Sequence, residues 1–290
     1  MQPSVKLFLM GAALFLAAAP VAAQQESFIE HPMTIQYNVR VPMRDGVTLS
    51  VDIYRPKDDA RHPTIFELTP YNNIAPNSME QAWHWVQRGY AFATADVRGR
   101  NDSDGSFLPY RTDGRDGSDI MDWIAKQSWS NEKIATVGES YLGKNQWEMA
   151  QQSNPHHVAM APYVAPADDF NDLARYNGVP KLDLMYTWLM GMDGRTDQPA
   201  NGWKWGQVMR QLPLVNLDRL AGRNMKFWQD MMDHDVLDEF WLPIQMRGNY
   251  EKFKIPSFNG RREYAIAAWN CSIGDTSHWT QLIKLPVPII

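Results

Sequence analysis

The chain has 290 residues, 44% hydrophobic and 21% charged, which is typical of a soluble globular protein with one large domain or a domain plus a cap. Its formal net charge of -5 provides no basic surface, so nucleic acid is excluded as an expected partner. The 12 Trp and 16 Met residues predict packing in a core and a cap, with an aromatic-lined substrate pocket as the alternative.

The N-terminus has the features of a secretory signal peptide. Lys6 supplies a positive charge, residues 7–19 form a short apolar run, and the small residues at 21–23 suit cleavage. An uncleaved anchor is the alternative, but the run is short for a membrane-spanning helix and Pro20 interrupts it, which favours a signal peptide. The only cysteine, Cys271, cannot form an internal disulfide, which fits a bacterial periplasmic protein. We expect a cleaved signal peptide over residues 1–23, a periplasmic or secreted protein, and no membrane association beyond export.

After residue 23, strand-like runs alternate with helical ones, the pattern of an α/β sheet. The first two strands flank the turn Arg44-Asp45-Gly46 and are predicted to form a β-hairpin. The third is a compact apolar run that suits a strand buried on both faces. The predicted strands cover residues 34–41, 47–54, 64–68, 91–95, 134–137 and 158–164, and the predicted helices cover residues 78–88, 116–126 and 145–152.

The character of the sequence changes between about Asp168 and Phe253. Strand signals vanish there, and Trp- and Met-rich helical stretches follow, such as residues 220–232. We therefore expect a helical cap over residues 168–253, inserted over a sheet domain formed by residues 34–167.

The segment Gly-Glu-Ser-Tyr-Leu-Gly at residues 138–143 follows a predicted buried strand and opens a helix. It is similar to the glycine-flanked serine of a nucleophile elbow, with the second glycine at position 143. Such a turn holds Ser140 in a strained conformation and lifts its hydroxyl above the sheet edge. Glycines leave room for strand and helix to crowd the turn, and the helix N-terminus directs N–H groups at a developing oxyanion. The alternative is a serine in an ordinary loop.

Residues 128–143 resemble the elbow region of the cocaine esterase / Xaa-Pro dipeptidyl-peptidase family, which includes the α-amino-acid ester hydrolases. Other strings match this family in order, and the similarity runs from about residue 37 to residue 256. They are Val-Pro-Met-Arg-Asp-Gly at 41–46, Thr-Pro-Tyr at 69–71, Asp-Val-Arg-Gly-Arg at 96–100, Asp-Gly at 104–105 and Asp-Glu-Phe-Trp at 238–241. The resemblance implies an α/β-hydrolase fold and a serine hydrolase that cleaves a small ester or peptide substrate through an acyl-enzyme. Xaa-Pro peptidase, amino-acid ester hydrolase and carboxylesterase remain open as its type.

The resemblance also implies individual roles. Ser140 would be the acylated nucleophile, while the phenol of Tyr71 and the backbone N–H of Tyr141 would donate to the oxyanion. Asp172 lies near the position of a carboxylate that binds the substrate ammonium group in the amino-acid ester hydrolases. A solvated helix start at Asp168, Asp169 and Asp172 is the alternative for that residue.

Two further expectations concern charged residues and cofactors. Asp96 and Arg98 are expected to form an ion pair that braces the loop beneath the elbow. His156-His157 lacks partner ligands at helical or strand spacing, so no metal is predicted. The sequence has no glycine-rich phosphate loop, and no cofactor is expected. The oligomeric state remains open.

The resemblance fails toward the C-terminus. A strand that leads to the catalytic acid should begin at Lys254, but the following sequence differs from the family. His278, with Asp275 nearby, is the only histidine after the elbow and cap, yet two residues so close cannot occupy separate strand-end loops. We expect an incomplete hydrolase sheet that lacks its later strands and the C-terminal jelly roll, with an aberrant tail over residues 254–290. A catalytically inactive relic is therefore the alternative function.

Our explanation for the aberrant tail is a truncation, through a frameshift near Asn259, and the coding DNA tests it. An alternative reading frame beyond that codon should encode a Gly-Trp-Tyr-Asp-like string and a later histidine, because the triad acid and base follow the cap in this fold. The absence of both from the two other frames would contradict the frameshift.

Overall fold

The structure is a computed structural model that describes residues 32–198 and 203–259. The predicted signal peptide and most of the predicted aberrant tail lie outside these residues. Among the described residues, no helix is both long and apolar enough to cross a membrane.

Six strands form one mixed sheet in the order β1-β2-β4-β3-β5-β6. The first two pair as an antiparallel hairpin, and β2 pairs with β4 in antiparallel fashion. The remaining pairs, β4 with β3, β3 with β5, and β5 with β6, are all parallel. The predicted α/β sheet is therefore confirmed. Its strands are β1 (Met33–Pro42), β2 (Thr48–Pro56), β3 (His62–Thr69), β4 (Ala91–Asp96), β5 (Ser130–Glu139) and β6 (His157–Tyr163).

Three helices cover the sheet, one on the first face and two on the second. Helix α1 (Pro76–Val86) packs its buried residues on the first face, against a cluster that includes Phe92. Helices α2 (Asp113–Ala125) and α3 (Tyr141–Gln151) pack on the second. Right-handed crossovers require this arrangement, because the chain steps one way from β3 to β4 and the other way from β4 to β5 and β6. The reversal places a ligand-binding crevice at the carboxyl ends of β3 and β5.

The region after β6 is a set of short elements, with one pair of strands that the sequence did not predict. Strand β7 pairs with β8 beside two π-helical turns. The predicted helix over residues 220–232 is wrong as a single element, because the chain turns at Gly222 (φ 70°) and a new helix starts at Lys226. The elements are π-helical turns Asp169–Ala174 and Leu182–Tyr186, strands β7 (Arg175–Tyr176) and β8 (Val179–Pro180), helices α4 (Thr187–Met192), α5 (Trp205–Val208), α6 (Leu217–Leu220) and α7 (Lys226–Asp233), and 3₁₀ turns Leu214–Asn216, Leu242–Ile244 and Tyr250–Lys252.

The expected ion pair between Asp96 and Arg98 is wrong in its partners. Arg98 binds Asp116 at 2.6 Å and Asp45 at 2.8 Å, which ties the loop after β4 to helix α2 and to the β1–β2 turn. The buried carboxylate of Asp96 instead accepts the backbone N–H of Asn73 at 2.9 Å. Strand β4 ends at Asp96 and the chain then turns with a positive φ at Gly99, and the two side chains contact different neighbours that are distant in sequence.

Helix α3 and strand β6 approach each other closely at Gly143. A Cβ atom on this residue would lie 2.3 Å from the backbone oxygen of Tyr163, closer than a carbon and an oxygen can approach without displacement. The obstacle is backbone of a paired strand, which cannot move aside as a flexible side chain could. Glycine at this position therefore sets the spacing of helix and strand.

Gly143→Ala is expected to lower the free energy of unfolding by about 1–3 kcal/mol, the usual penalty of overpacking. The measurement is urea unfolding followed by circular dichroism. Gly191→Ala in helix α4 is the matched control: a Cβ there meets no atom within 4 Å, so helix propensity should raise stability by up to about 1 kcal/mol. Equal stability of the two variants would contradict the close approach.

Candidate active site

Ser140 occupies the turn between strand β5 and helix α3 with φ 58° and ψ −117°. A positive φ is strained for any residue with a side chain, so the surroundings must hold it. Its N–H donates to the carbonyl of Tyr163 at 3.0 Å, and its own carbonyl accepts the N–H of Lys144 at 2.9 Å. The side chain is exposed at the carboxyl edge of the sheet. This is the geometry of a serine presented for reaction.

Tyr71 follows strand β3 and reaches the same point. Its phenol is hydrogen-bonded to the side chain of Ser140, and its oxygen accepts the indole N–H of Trp188 at 3.3 Å. Burial raises the pKa of Tyr71, although the hydrogen bonds from Trp188 and Ser140 partly oppose that shift. The phenol is therefore neutral at ordinary pH and keeps a proton that it can donate.

Tyr141 is the first residue of helix α3, and its ring is buried. The phenol oxygen accepts the N–H of Tyr110 at 3.0 Å, and it is also hydrogen-bonded to Asp113. The rings of Tyr141 and Tyr110 stack with centroids 4.2 Å apart. Because the first N–H groups of a helix lack intrahelical partners, the backbone of Tyr141 offers a donor beside Ser140.

The structure thus brings Ser140, Tyr71 and Tyr141 together, and it places Asp172 elsewhere. Asp172 lies in the π-helical turn Asp169–Ala174, with its Oδ2 atom 3.6 Å from Arg247. It does not line the cavity onto which Ser140 opens. A helical turn does begin at these residues, with Asp168 as its N-cap, but Asp168 and Asp169 are buried instead of solvated.

A buried group of charges beneath the elbow was missed by the sequence reasoning. The ammonium group of Lys144 donates to Glu148 and to the carbonyl of Ile244, both at 2.7 Å, and it lies 3.3 Å from Asp169. Burial raises the pKa of Glu148 well above its usual value and that of Asp169 to about 6. Burial by itself would lower the pKa of Lys144, but the negative charges of Asp169 and Glu148 raise it by more. The pKa of Lys144 therefore lies above its ordinary value. The spacing of Lys144 and Glu148, four residues apart in a helix, was the only available signal.

A cavity of about 1200 Å³ opens on the α1 side of the sheet and is lined by Ser140, Tyr71, Tyr163 and Glu67. Glu67, in the middle of β3, is 7% exposed, and none of the described residues forms a hydrogen bond with its side chain. Burial raises its pKa to about 8. Sequence reasoning missed this carboxyl, because it lies within the run that was predicted as a compact apolar strand.

Within the described ranges, no histidine is hydrogen-bonded to Ser140, although His84 on helix α1 lines the same cavity. The same residues contain no group of three or more His, Cys, Asp or Glu side chains that could hold a metal ion.

Comparison with known proteins gives one consistent family. Residues 45–261 match the model of the X-Pro dipeptidyl-peptidase (S15 family). The chain is 38% identical to the cocaine esterase of Rhodococcus sp. (strain MB1 Bresler) over 235 residues, which cover 73% of this chain and 41% of that protein. An α-amino acid ester hydrolase structure superposes with a TM-score of 0.66 at 20% identity, covering 84% of this chain and 46% of that one. A CocE/NonD family hydrolase from Staphylococcus aureus gives 0.61 at 24% identity, with 77% and 40% covered. The chain thus spans less than half the length of each.

Glu67→Gln is expected to remove a pH-dependent loss of stability. The pKa of the Glu67 carboxyl is 4.5 in the unfolded chain and about 8 in the folded protein. Below pH 4.5 the carboxyl is protonated in both states and costs no stability. As the pH rises toward 8, the unfolded chain loses the proton more readily than the folded protein, so the free energy of unfolding falls. The variant should therefore gain up to a few kcal/mol relative to wild type between pH 5 and pH 8.5, measured by urea unfolding. Glu80→Gln, on the same cavity wall but exposed, is the control. If the free energies of unfolding of wild type and Glu67→Gln differ by the same amount at every pH in this range, the raised pKa of Glu67 is contradicted.

Proposed function

The chain belongs to the X-Pro dipeptidyl-peptidase (S15) family, and on this premise we propose that it cleaves esters or amides of small acyl groups through an acyl-enzyme on Ser140. The observation that carries the proposal is the convergence of three groups at one sheet edge. Ser140 has the strained backbone of an elbow, and its side chain is hydrogen-bonded to the Tyr71 phenol. The backbone N–H of Tyr141, the next residue in the chain, lies beside it. A serine in an ordinary loop would show neither the strained backbone nor the two neighbouring hydrogen-bond donors.

In the proposed reaction the Ser140 oxygen attacks the substrate carbonyl carbon, and the carbonyl oxygen becomes negatively charged. The Tyr71 phenol and the Tyr141 N–H donate hydrogen bonds to that oxygen, and the loss of one such donor typically costs about 3–4 kcal/mol of transition-state stabilisation. The hydroxyl proton must pass to a base and then to the leaving alcohol or amine, and within residues 32–198 and 203–259 no histidine is hydrogen-bonded to Ser140 to serve as that base. Water finally releases the acyl group and regenerates the serine.

The substrate class is proposed from the relatives. The relatives include a cocaine esterase and X-Pro dipeptidyl-peptidases, and the rings of Tyr71, Tyr141, Phe107 and Trp188 contact one another beside the proposed oxyanion donors. This aromatic surface suits apolar or aromatic acyl groups. Binding of a substrate ammonium group by Asp172 stays a prediction, as does export through the signal peptide at residues 1–23.

A fluorophosphonate probe tests the proposal directly. Wild-type protein should become labelled at Ser140, because the probe phosphonylates only an activated serine, and Ser140→Ala should abolish the label in intact-mass spectrometry. Ser153→Ala is the matched control, since Ser153 also has a positive φ (53°) but lies in the turn after helix α3. It should label like wild type. An unlabelled wild-type protein, or labelling that persists in Ser140→Ala, would reject the assignment and favour an inactive relic.

A further inference from the structure

The indole of Trp188 contacts both residues that carry the proposed oxyanion donors. Trp188 lies in helix α4, within the region that follows the sheet. Its Nε1–H donates to the phenol oxygen of Tyr71 at 3.3 Å. Its ring stacks on the ring of Tyr141 with centroids 5.8 Å apart and an interplanar angle of 24°. One side chain thus links the two donors.

We propose that Trp188 is a positioning residue that fixes the direction of the Tyr71 phenol proton, an inference that rests on the hydrolase function proposed above. An indole N–H can donate a hydrogen bond and cannot accept one in the ring plane. The Tyr71 oxygen must therefore accept from Trp188, and its own proton must point to another group. The side chain of Ser140 is the second group that donates to this oxygen, since its hydrogen bond also lowers the pKa of Tyr71. With both acceptor positions of the phenol oxygen occupied, the phenol proton is left free for the substrate oxyanion.

The same hydrogen bond also adjusts the strength of the donor. Burial raises the pKa of Tyr71, and the indole N–H partly opposes this change. As the phenol shares its proton with an oxyanion, negative charge grows on the phenol oxygen, and a donated N–H stabilises that charge. Trp188 therefore both orients and polarises the phenol.

Packing fixes the indole in place. Leu189 and Met190, the next two residues of α4, are each only 1% exposed and hold the helix in the core. The Tyr141 ring beneath the indole is itself held by the N–H of Tyr110. Trp188 is thus placed by buried groups of the core and is not free to follow the substrate.

A double-mutant cycle separates positioning from packing. Trp188→Phe keeps an aromatic ring and removes only the N–H. Loss of one hydrogen bond should lower kcat for p-nitrophenyl acetate about five- to tenfold with little change in KM. In a Tyr71→Phe background, Trp188→Phe should have less than a twofold further effect, because the phenol it acts on is gone. Trp205→Phe, a tryptophan of helix α5 that packs on Tyr186, is the control and should leave kcat unchanged.

A second measurement does not depend on turnover. In protein labelled with ¹³Cζ-tyrosine, the Tyr71 resonance is assigned by its absence from Tyr71→Phe, and its ionisation is followed by pH titration. Trp188→Phe should raise the pKa of Tyr71, and Trp205→Phe should leave it as in wild type.

The outcomes are distinct. A raised pKa together with a non-additive cycle supports the proposal. An unchanged or lowered pKa overturns it, as does an equal loss of kcat with and without Tyr71, which would indicate a packing role. If wild-type protein shows no turnover, a raised pKa still supports the positioning of the phenol by Trp188, while the hydrolase function proposed above fails for this chain.

Discussion

The rest of the site depends on the close approach of strand β6 to the turn between β5 and α3. The Tyr163 carbonyl accepts the N–H of Ser140 and lies where a Cβ on residue 143 would stand. One backbone oxygen therefore holds the serine in its strained conformation and requires glycine at the first turn of the helix. Strain of this kind costs about 1–3 kcal/mol and persists only where neighbouring structure fixes it. The parallel pairing of β5 with β6 provides that structure, because it sets the position of Tyr163 relative to the turn.

The second constraint is electrostatic and ties the elbow helix to the region after the sheet. Lys144 is wholly buried, and its ammonium group contacts Glu148 of helix α3, Asp169 and the carbonyl of Ile244. Removing one partner of such a group leaves an uncompensated charge, which is strongly destabilising. Helix α3 and the segments around residues 169 and 244 are therefore held together. Trp188 adds a second connection on the side of the proposed oxyanion donors.

The sequence predicted each strand and helix of the sheet domain to within a few residues, because buried strands and amphipathic helices leave periodic patterns. It failed where the decisive partner is distant in sequence. Arg98 binds Asp45 and Asp116 instead of Asp96, and helix α3 buries Lys144 and Glu148, which the sequence reasoning did not single out. The helix expected over residues 220–232 is broken by a turn, where Asp218 accepts the N–H of Met225 at 3.0 Å.

By itself, the sequence determined the alternation of strands and helices, the glycine-flanked serine and the family resemblance, since these are local features of chemistry and spacing. Only the tertiary structure decided which side chains meet. Tyr71 and Ser140 are 69 positions apart and come together because β3 and β5 are parallel neighbours with their carboxyl ends at one edge. Glu67 is a buried carboxyl that lines the cavity, and none of the residues that the structure describes forms a hydrogen bond with it. Strand order and helix placement are collective properties, and no single segment encodes them.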